Sequence, residues 1–187
     1  MTIIDEAIIF AAKSHSGQKR KLGGMPYIFH AVEAAQIAAG LTHDESTVAA
    51  AALHDTVEDC GVTPDEIREA FGERVLELVM CETEDKKKER PPEETWKERK
   101  AESLEVLKNT SDREVKVIWL SDKLSNMRSF CREYKKSGEG LWSNFHQKDK
   151  AQHEWYYTAV ENYLSELSDS DAYKEYSEIL DYIFNRR

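Results

Sequence analysis

Two histidines and two aspartates sit among apolar neighbours where a lone polar side chain is out of place. His30 follows Tyr27-Ile28-Phe29, His54-Asp55 follows Ala51-Ala52-Leu53, and Asp122 follows Val117-Ile118-Trp119-Leu120-Ser121. Such neighbours put these side chains on or beside buried faces. A buried carboxylate must be paired, hydrogen-bonded or bound to a metal, because leaving it bare costs several kcal/mol. Taken singly, either histidine reads as an ordinary core residue. The four together form a mixed nitrogen and oxygen donor set suited to a divalent ion such as Mn²⁺, with zinc or iron also compatible.

The residues after the doublet extend this set. In His54-Asp55-Thr56-Val57-Glu58-Asp59, helical spacing puts Glu58 on the face of His54 and Asp55, and Asp59 one turn beyond Asp55. Acidic groups crowded on one turn repel each other unless a cation lies among them. The spacing also places them at the C-terminal end of a helix, where the dipole disfavours negative charge. With Asp55 engaged as a ligand, Glu58 or Asp59 could orient or deprotonate a water beside the ion. Asn126 lies one turn after Asp122 and projects toward the same place, whereas Arg128 is equally suited to structural carboxylates. Lys19-Arg20-Lys21, in the loop leading to His30, is a candidate receptor for substrate phosphates. A second candidate lies between Lys86 and Lys100, where seven basic residues stand against four glutamates; the stretch 86–94 is expected to be solvated surface, and Arg99 or Lys100 to meet the anionic ligand. Trp155-Tyr156-Tyr157 cannot all face one way on a helix, so the core takes at least one and a pocket can take another.

Positioning these residues falls to helices. Apolar spacing predicts helices over 3–13, from Pro26 to Ala39 with Gly40 at C′, and from Asp44 or Ser46 through Val57. Thr63-Pro64-Asp65-Glu66 is a capping box opening a fourth helix that ends near Gly72, and a fifth follows through Val75, Leu78 and Val79. Residues 84–95 are expected to form a charged loop, with helices again over 96–109, 112–134, 149–166 and 171–185. Strand signals are almost absent. The chain has 187 residues, 26 Lys+Arg against 36 Asp+Glu and a net charge of −10, a balance that argues against nucleic acid as a partner. Residues 151–187 hold eight acids to three bases and read as a solvated face. No apolar run is long enough to span a membrane. The absence of a leader and the three scattered cysteines predict a cytoplasmic protein with reduced thiols.

His30, His54-Asp55 and Asp122 match the H…HD…D signature of HD-domain metal phosphohydrolases. His15-Ser16-Gly17-Gln18-Lys19-Arg20-Lys21 and Pro26-Tyr27-Ile28-Phe29-His30 resemble the opening of the RelA/SpoT-type hydrolase domain. Ala51 to Asp59 and Asp122 to Arg128 resemble its two other hallmark segments. Thr83-Glu84-Asp85-Lys86 followed by Trp96-Lys97-Glu98-Arg99-Lys100 is similar to the free-standing small alarmone hydrolases related to the metazoan SpoT homologue. The resemblance implies an all-α HD-domain bundle of roughly eight to ten helices, with residues 1–187 forming a single domain. It implies one Mn²⁺ held by His30, His54, Asp55 and Asp122, and a catalytic acidic pair, Glu58 and Asp59. It further implies nucleotide contacts from Arg20 and Lys21, Asn126 near a ribose, a small hydroxyl at Ser129, and Trp155 at an aromatic position of the pocket. The implied activity removes the 3′-pyrophosphate of guanosine tetra- and pentaphosphate, with a small nucleotide as partner and homo-oligomerisation left open. The chain departs from the family at Leu22-Gly23-Gly24-Met25, at Ala31 in place of a proline, at Cys81-Glu82 in place of a small residue and a valine, and over 87–95. Base preference therefore stays open. So do the alternatives of a nucleotidase or phosphatase releasing orthophosphate from another nucleotide (an adenosine alarmone or the 2′-phosphate of NADPH) and of a non-catalytic nucleotide-binding module.

Overall fold

The computed structural model describes residues 1–186. Its regular elements are helices: α1 (Ile3–Ser14), α2 (Ile28–Ala39), α3 (Glu45–Leu53), α4 (Thr56–Cys60), α5 (Pro64–Phe71), α6 (Glu73–Met80), α7 (Pro92–Asn109), α8 (Arg113–Ser137), α9 (Lys150–Tyr163) and α10 (Asp171–Phe184). Short 3₁₀ turns occupy Gly138–Asn144 and Ser165–Leu167. Among the described residues the only extended pairing is an isolated antiparallel bridge between Lys19 and Pro26. The all-α expectation holds.

Helix starts follow side-chain chemistry. Thr2 with Asp5 and Thr63 with Glu66 form capping boxes, the second with Pro64 at the first helical position as its spacing predicts. Asp44, Asp112, Asp149 and Ser170 each accept a hydrogen bond from a backbone N–H in the first turn of the helix that follows. Helix α3 is buried all round from Thr47 to Leu53 and packs against α1, α2, α6 and α8. A helix with no polar face can be stable only as a central element. Helix α8 is the second axis, with every residue from Val117 to Ser125 buried.

Four local expectations are corrected. Helix α2 begins at Ile28 because Pro26 is held in the bridge to Lys19, with Tyr27 N–H donating to Gln18 O and Arg20 N–H to Met25 O. Gly23 and Gly24 turn that hairpin at φ 77° and 65°, a region side chains rarely adopt. Gly40 keeps a helical φ of −79° at the end of α2. The third predicted helix breaks at His54-Asp55: His54 Nδ1 and Thr56 Oγ1 bond the carbonyls of Ala51 and Leu53, closing α3 and opening α4. Glu58 and Asp59 therefore lie within α4, a single turn of five residues, and not at the end of a long third helix.

Helix α7 starts at Pro92, four residues earlier than the periodicity suggests, since Thr95 and Trp96 are buried. The acidic tail is not merely solvated. Glu161 is buried against Arg186 at 2.7 Å, and Glu175 pairs with Arg128, which also reaches Glu33 at 3.1 Å. The three cysteines are free.

Truncating Leu120, fully buried on α8, should leave a cavity at the axis of the bundle. Leu120→Ala is expected to lower the unfolding free energy by about 2–5 kcal/mol, read as a lower urea midpoint at unchanged slope.

Candidate metal centre

His30 comes from α2, His54 and Asp55 from the α3–α4 break, and Asp122 from α8. Their donor atoms meet. His30 Nε2 lies 3.0 Å from Asp122 Oδ1 and 3.5 Å from Asp55 Oδ2; His54 Nε2 lies 2.9 Å from Asp55 Oδ2 and 3.4 Å from Asp122 Oδ1. Both Nε2 atoms are buried without a hydrogen-bond partner. Their other ring nitrogens are committed: His30 Nδ1 to Ser125 Oγ at 2.8 Å and His54 Nδ1 to Ala51 O at 2.8 Å. Ser125 itself donates to Glu33, so its oxygen can accept the His30 Nδ1–H. Each ring can then turn an Nε2 lone pair inward, the arrangement that metal-binding histidines use. Neighbouring ligands about 2.1 Å from one ion lie about 3 Å apart, so these four residues fit a divalent cation. His30, His54 and Asp122 form one cluster of ligating atoms and Asp55, Glu58 and Asp59 a second; Asp55 joins them.

The surrounding groups hold the carboxylates in place. Tyr27 donates to Asp55 Oδ2 at 2.6 Å, and burial together with Asp55 keeps that phenol protonated. Asn126 donates to Asp122 Oδ1 at 2.7 Å, while Lys123 contacts Oδ2. Lys123 is buried, lies over the Trp119 ring and donates to Glu82 at 2.6 Å. Burial opposes charge on the His54 imidazole, but Asp55 and Asp122 outweigh it and raise its pKa well above the usual value. Burial likewise opposes charge on Asp55 and Asp122; the imidazoles hold Asp55 well below the ordinary carboxylate range, and Lys123 with the imidazoles does the same for Asp122. Glu82 goes the other way: burial lifts it to about 8, even with Lys123 beside it.

A pocket of about 280 Å³ opens on Asp55 and Asp122 and is lined by Lys21, Lys100, Lys123 and Asn126, with Tyr156 and Tyr157 as its aromatic wall. Beside it, a space of about 500 Å³ is bounded by Arg20, Lys21, Tyr27, Phe130 and Phe145. Arg20 stacks over Tyr27 at 5.3 Å and donates to Asn126 at 2.7 Å, linking the basic hairpin to Asp122. Glu58 and Asp59 stand at the rim with Asp55. Two expected contacts fall elsewhere. Ser129 lies outside the metal pocket, in an adjoining hollow that Arg20 and His30 also line, where its hydroxyl accepts from Arg132. Trp155 is 38% exposed and faces Lys97, leaving the pocket to its two neighbours.

Lys86 is not solvated surface either, for it bridges Glu58 and Asp59. Tyr27, Glu82, Lys86, Lys123 and Ser125 escape sequence reasoning as site residues. The one available signal was a charge next to Asp122 inside an apolar run, which marks Lys123.

Because proton and metal compete for His54 Nε2, and the metal-free site holds that proton strongly, metal affinity should fall as pH is lowered. At neutral pH Mn²⁺ binding should release protons, visible as a buffer-dependent heat in calorimetry. Ser125→Ala should weaken Mn²⁺ binding about 10- to 100-fold by freeing the His30 ring; unchanged affinity would show that the Ser125 bond is dispensable.

An HD domain family model matches residues 7–149. Among curated proteins, a guanosine-3′,5′-bis(diphosphate) 3′-pyrophosphohydrolase of Aquifex aeolicus is 40% identical over 67% of this chain, and a GTP pyrophosphokinase of Myxococcus xanthus is 35% identical over 69%. The chain spans 17% of the length of each. Among solved structures, a metazoan ortholog of SpoT that hydrolyses ppGpp superposes over 100% of this chain and 96% of its own, with a TM-score of 0.73 and 26% identity. A Listeria monocytogenes protein covers 88% of this chain and 99% of its own, with a TM-score of 0.71 and 32% identity. No helix among the described residues is long and apolar enough to cross a membrane. The chain belongs to the HD-domain family, with homology to its SpoT/RelA-type ppGpp hydrolases.

Proposed function

We propose that this chain is a Mn²⁺-dependent pyrophosphohydrolase that removes the 3′-pyrophosphate of guanosine tetra- and pentaphosphate. The observation that carries this reading is the convergence of two buried Nε2 atoms on Asp55 and Asp122, in a pocket that Glu58, Asp59 and several lysines also line. His30, His54, Asp55 and Asp122 would hold the ion, which when bound supplies Lewis-acid stabilisation of phosphoryl charge. The carboxylate and imidazole donors suit Mn²⁺.

Glu58 and Asp59 orient the attacking water and take its proton. As the water oxygen bonds to phosphorus, the bond from that phosphorus to the ribose 3′ oxygen breaks. The 3′ oxygen keeps the electron pair and takes up a proton, so pyrophosphate is released with the 5′-diphosphate from the tetraphosphate or the 5′-triphosphate from the pentaphosphate. Lys21, Lys100 and Lys123 offset phosphate charge, and Asn126 bonds the ribose side. Arg20, held flat by Tyr27 and Asn126, stacks on the base. The protein acts on a small nucleotide in the cytoplasm.

Purified protein with Mn²⁺ and guanosine tetraphosphate should release guanosine diphosphate and pyrophosphate. Glu58→Gln and Asp59→Asn should each lower kcat by about 10²- to 10⁴-fold while nucleotide still binds. Orthophosphate as the product would favour a phosphatase, and no product at all would sink the assignment.

A further inference from the structure

Segment 84–86 ties down the acidic pair from outside. Glu58 Oε2 accepts from the Glu84 backbone N–H at 2.9 Å, and its Oε1 lies 2.5 Å from Lys86 Nζ. The same ammonium lies 3.1 Å from Asp59 Oδ1. It therefore stands between the two carboxylates, in the space a water must occupy to be oriented by both. Lys86 also borders three spaces at once: the metal pocket, the space beside Arg20, and a hollow of about 470 Å³ shared with Lys88, Arg90 and Arg99.

Of the Lys86 and Glu58 side chains, the lysine is the longer and the more exposed, and so the one able to move. Its side chain is 34% exposed against 14% for Glu58. The backbone before it is anchored, because Glu84 is gripped by Arg99 and by Lys100 at 2.6 Å. An anion must compete with two carboxylates to draw the ammonium off. A pyrophosphoryl group carries more negative charge than a single phosphoryl group and so competes better for the ammonium.

Resting on the function given above, we propose that Lys86 is a specificity-determining residue whose ammonium blocks the Glu58–Asp59 pair in the free protein and leaves it for a pyrophosphoryl group. Substrate recognition and exposure of the acidic pair are then one movement, and monophosphates are poor substrates because they leave the block in place.

The test uses Mn²⁺-loaded protein, Lys86→Met and Lys86→Arg. Calorimetry with methylenediphosphonate, a probe that cannot be hydrolysed, should show binding weakened about tenfold or more in Lys86→Met, with inorganic phosphate within about twofold of wild type. The ratio of kcat/KM for guanosine tetraphosphate over its 3′-monophosphate counterpart should fall about tenfold in Lys86→Met and recover in Lys86→Arg. Unchanged diphosphonate binding, or an equal loss for both probes with a lowered Tm, would overturn the proposal. Wild-type protein that releases no pyrophosphate fails the functional reading instead, and the diphosphonate ratio still decides the role of Lys86.

Discussion

Two carboxylates and two imidazoles meet where water scarcely reaches, and the surrounding helices are arranged around the cost of that burial. Charge in a low-dielectric interior is tolerated only when paired and hydrogen-bonded. His30 and Asp122 are brought together by the packing of α2 on α8, while His54 and Asp55 enter from the break between α3 and α4. The break is part of the solution: a straight helix would carry the doublet past the site, whereas the two carbonyl bonds from His54 and Thr56 turn the chain there. Tyr27, Asn126 and Lys123 each satisfy one carboxylate oxygen, and Ser125, backed by Glu33, fixes the His30 ring. What is left over is two imidazole Nε2 atoms converging on Asp55 and Asp122.

The protein is strongly acidic, yet the proposed ligand is a polyanion. The pocket resolves this locally by keeping cations beside the metal site, each already matched to a carboxylate: Lys123 to Asp122 and Glu82, Lys100 to Glu84, Lys86 to Glu58 and Asp59. In the ligand-free protein these pairs balance the buried charge. An incoming phosphate has to exchange with resident carboxylates, so binding is a trade of ion pairs more than a gain of new ones. Glu82 is the least comfortable member. One of its oxygens has no partner, and burial pushes its pKa up to about 8.

Much of the helical framework was legible along the chain because caps and periodicity act over a few residues: Thr63 with Glu66, Asp44, Asp112 and the buried face of α8 all stand as their spacing implies. The convergence of His30, His54, Asp55 and Asp122 was legible for a different reason, that each is a polar residue embedded in an apolar run. Lys21 and Asn126 also reach the metal pocket, and Arg20 the space beside it. Trp155 and Ser129 do not, since a small difference in helical phase decides which of several adjacent side chains faces inward. Along the chain Lys86 looks like surface because its partners lie on α4, and charge runs reveal nothing about partners brought close by folding.

Residue type and spacing by themselves determined that this protein is helical, that it holds a nitrogen and oxygen donor set, and that acids follow the doublet closely. These are consequences of short-range geometry and of the penalty on bare buried charge. Only the tertiary structure decided that the doublet meets His30 and Asp122, and which lysine each carboxylate keeps. Those outcomes depend on contacts between segments far apart in the chain, and no local preference encodes them.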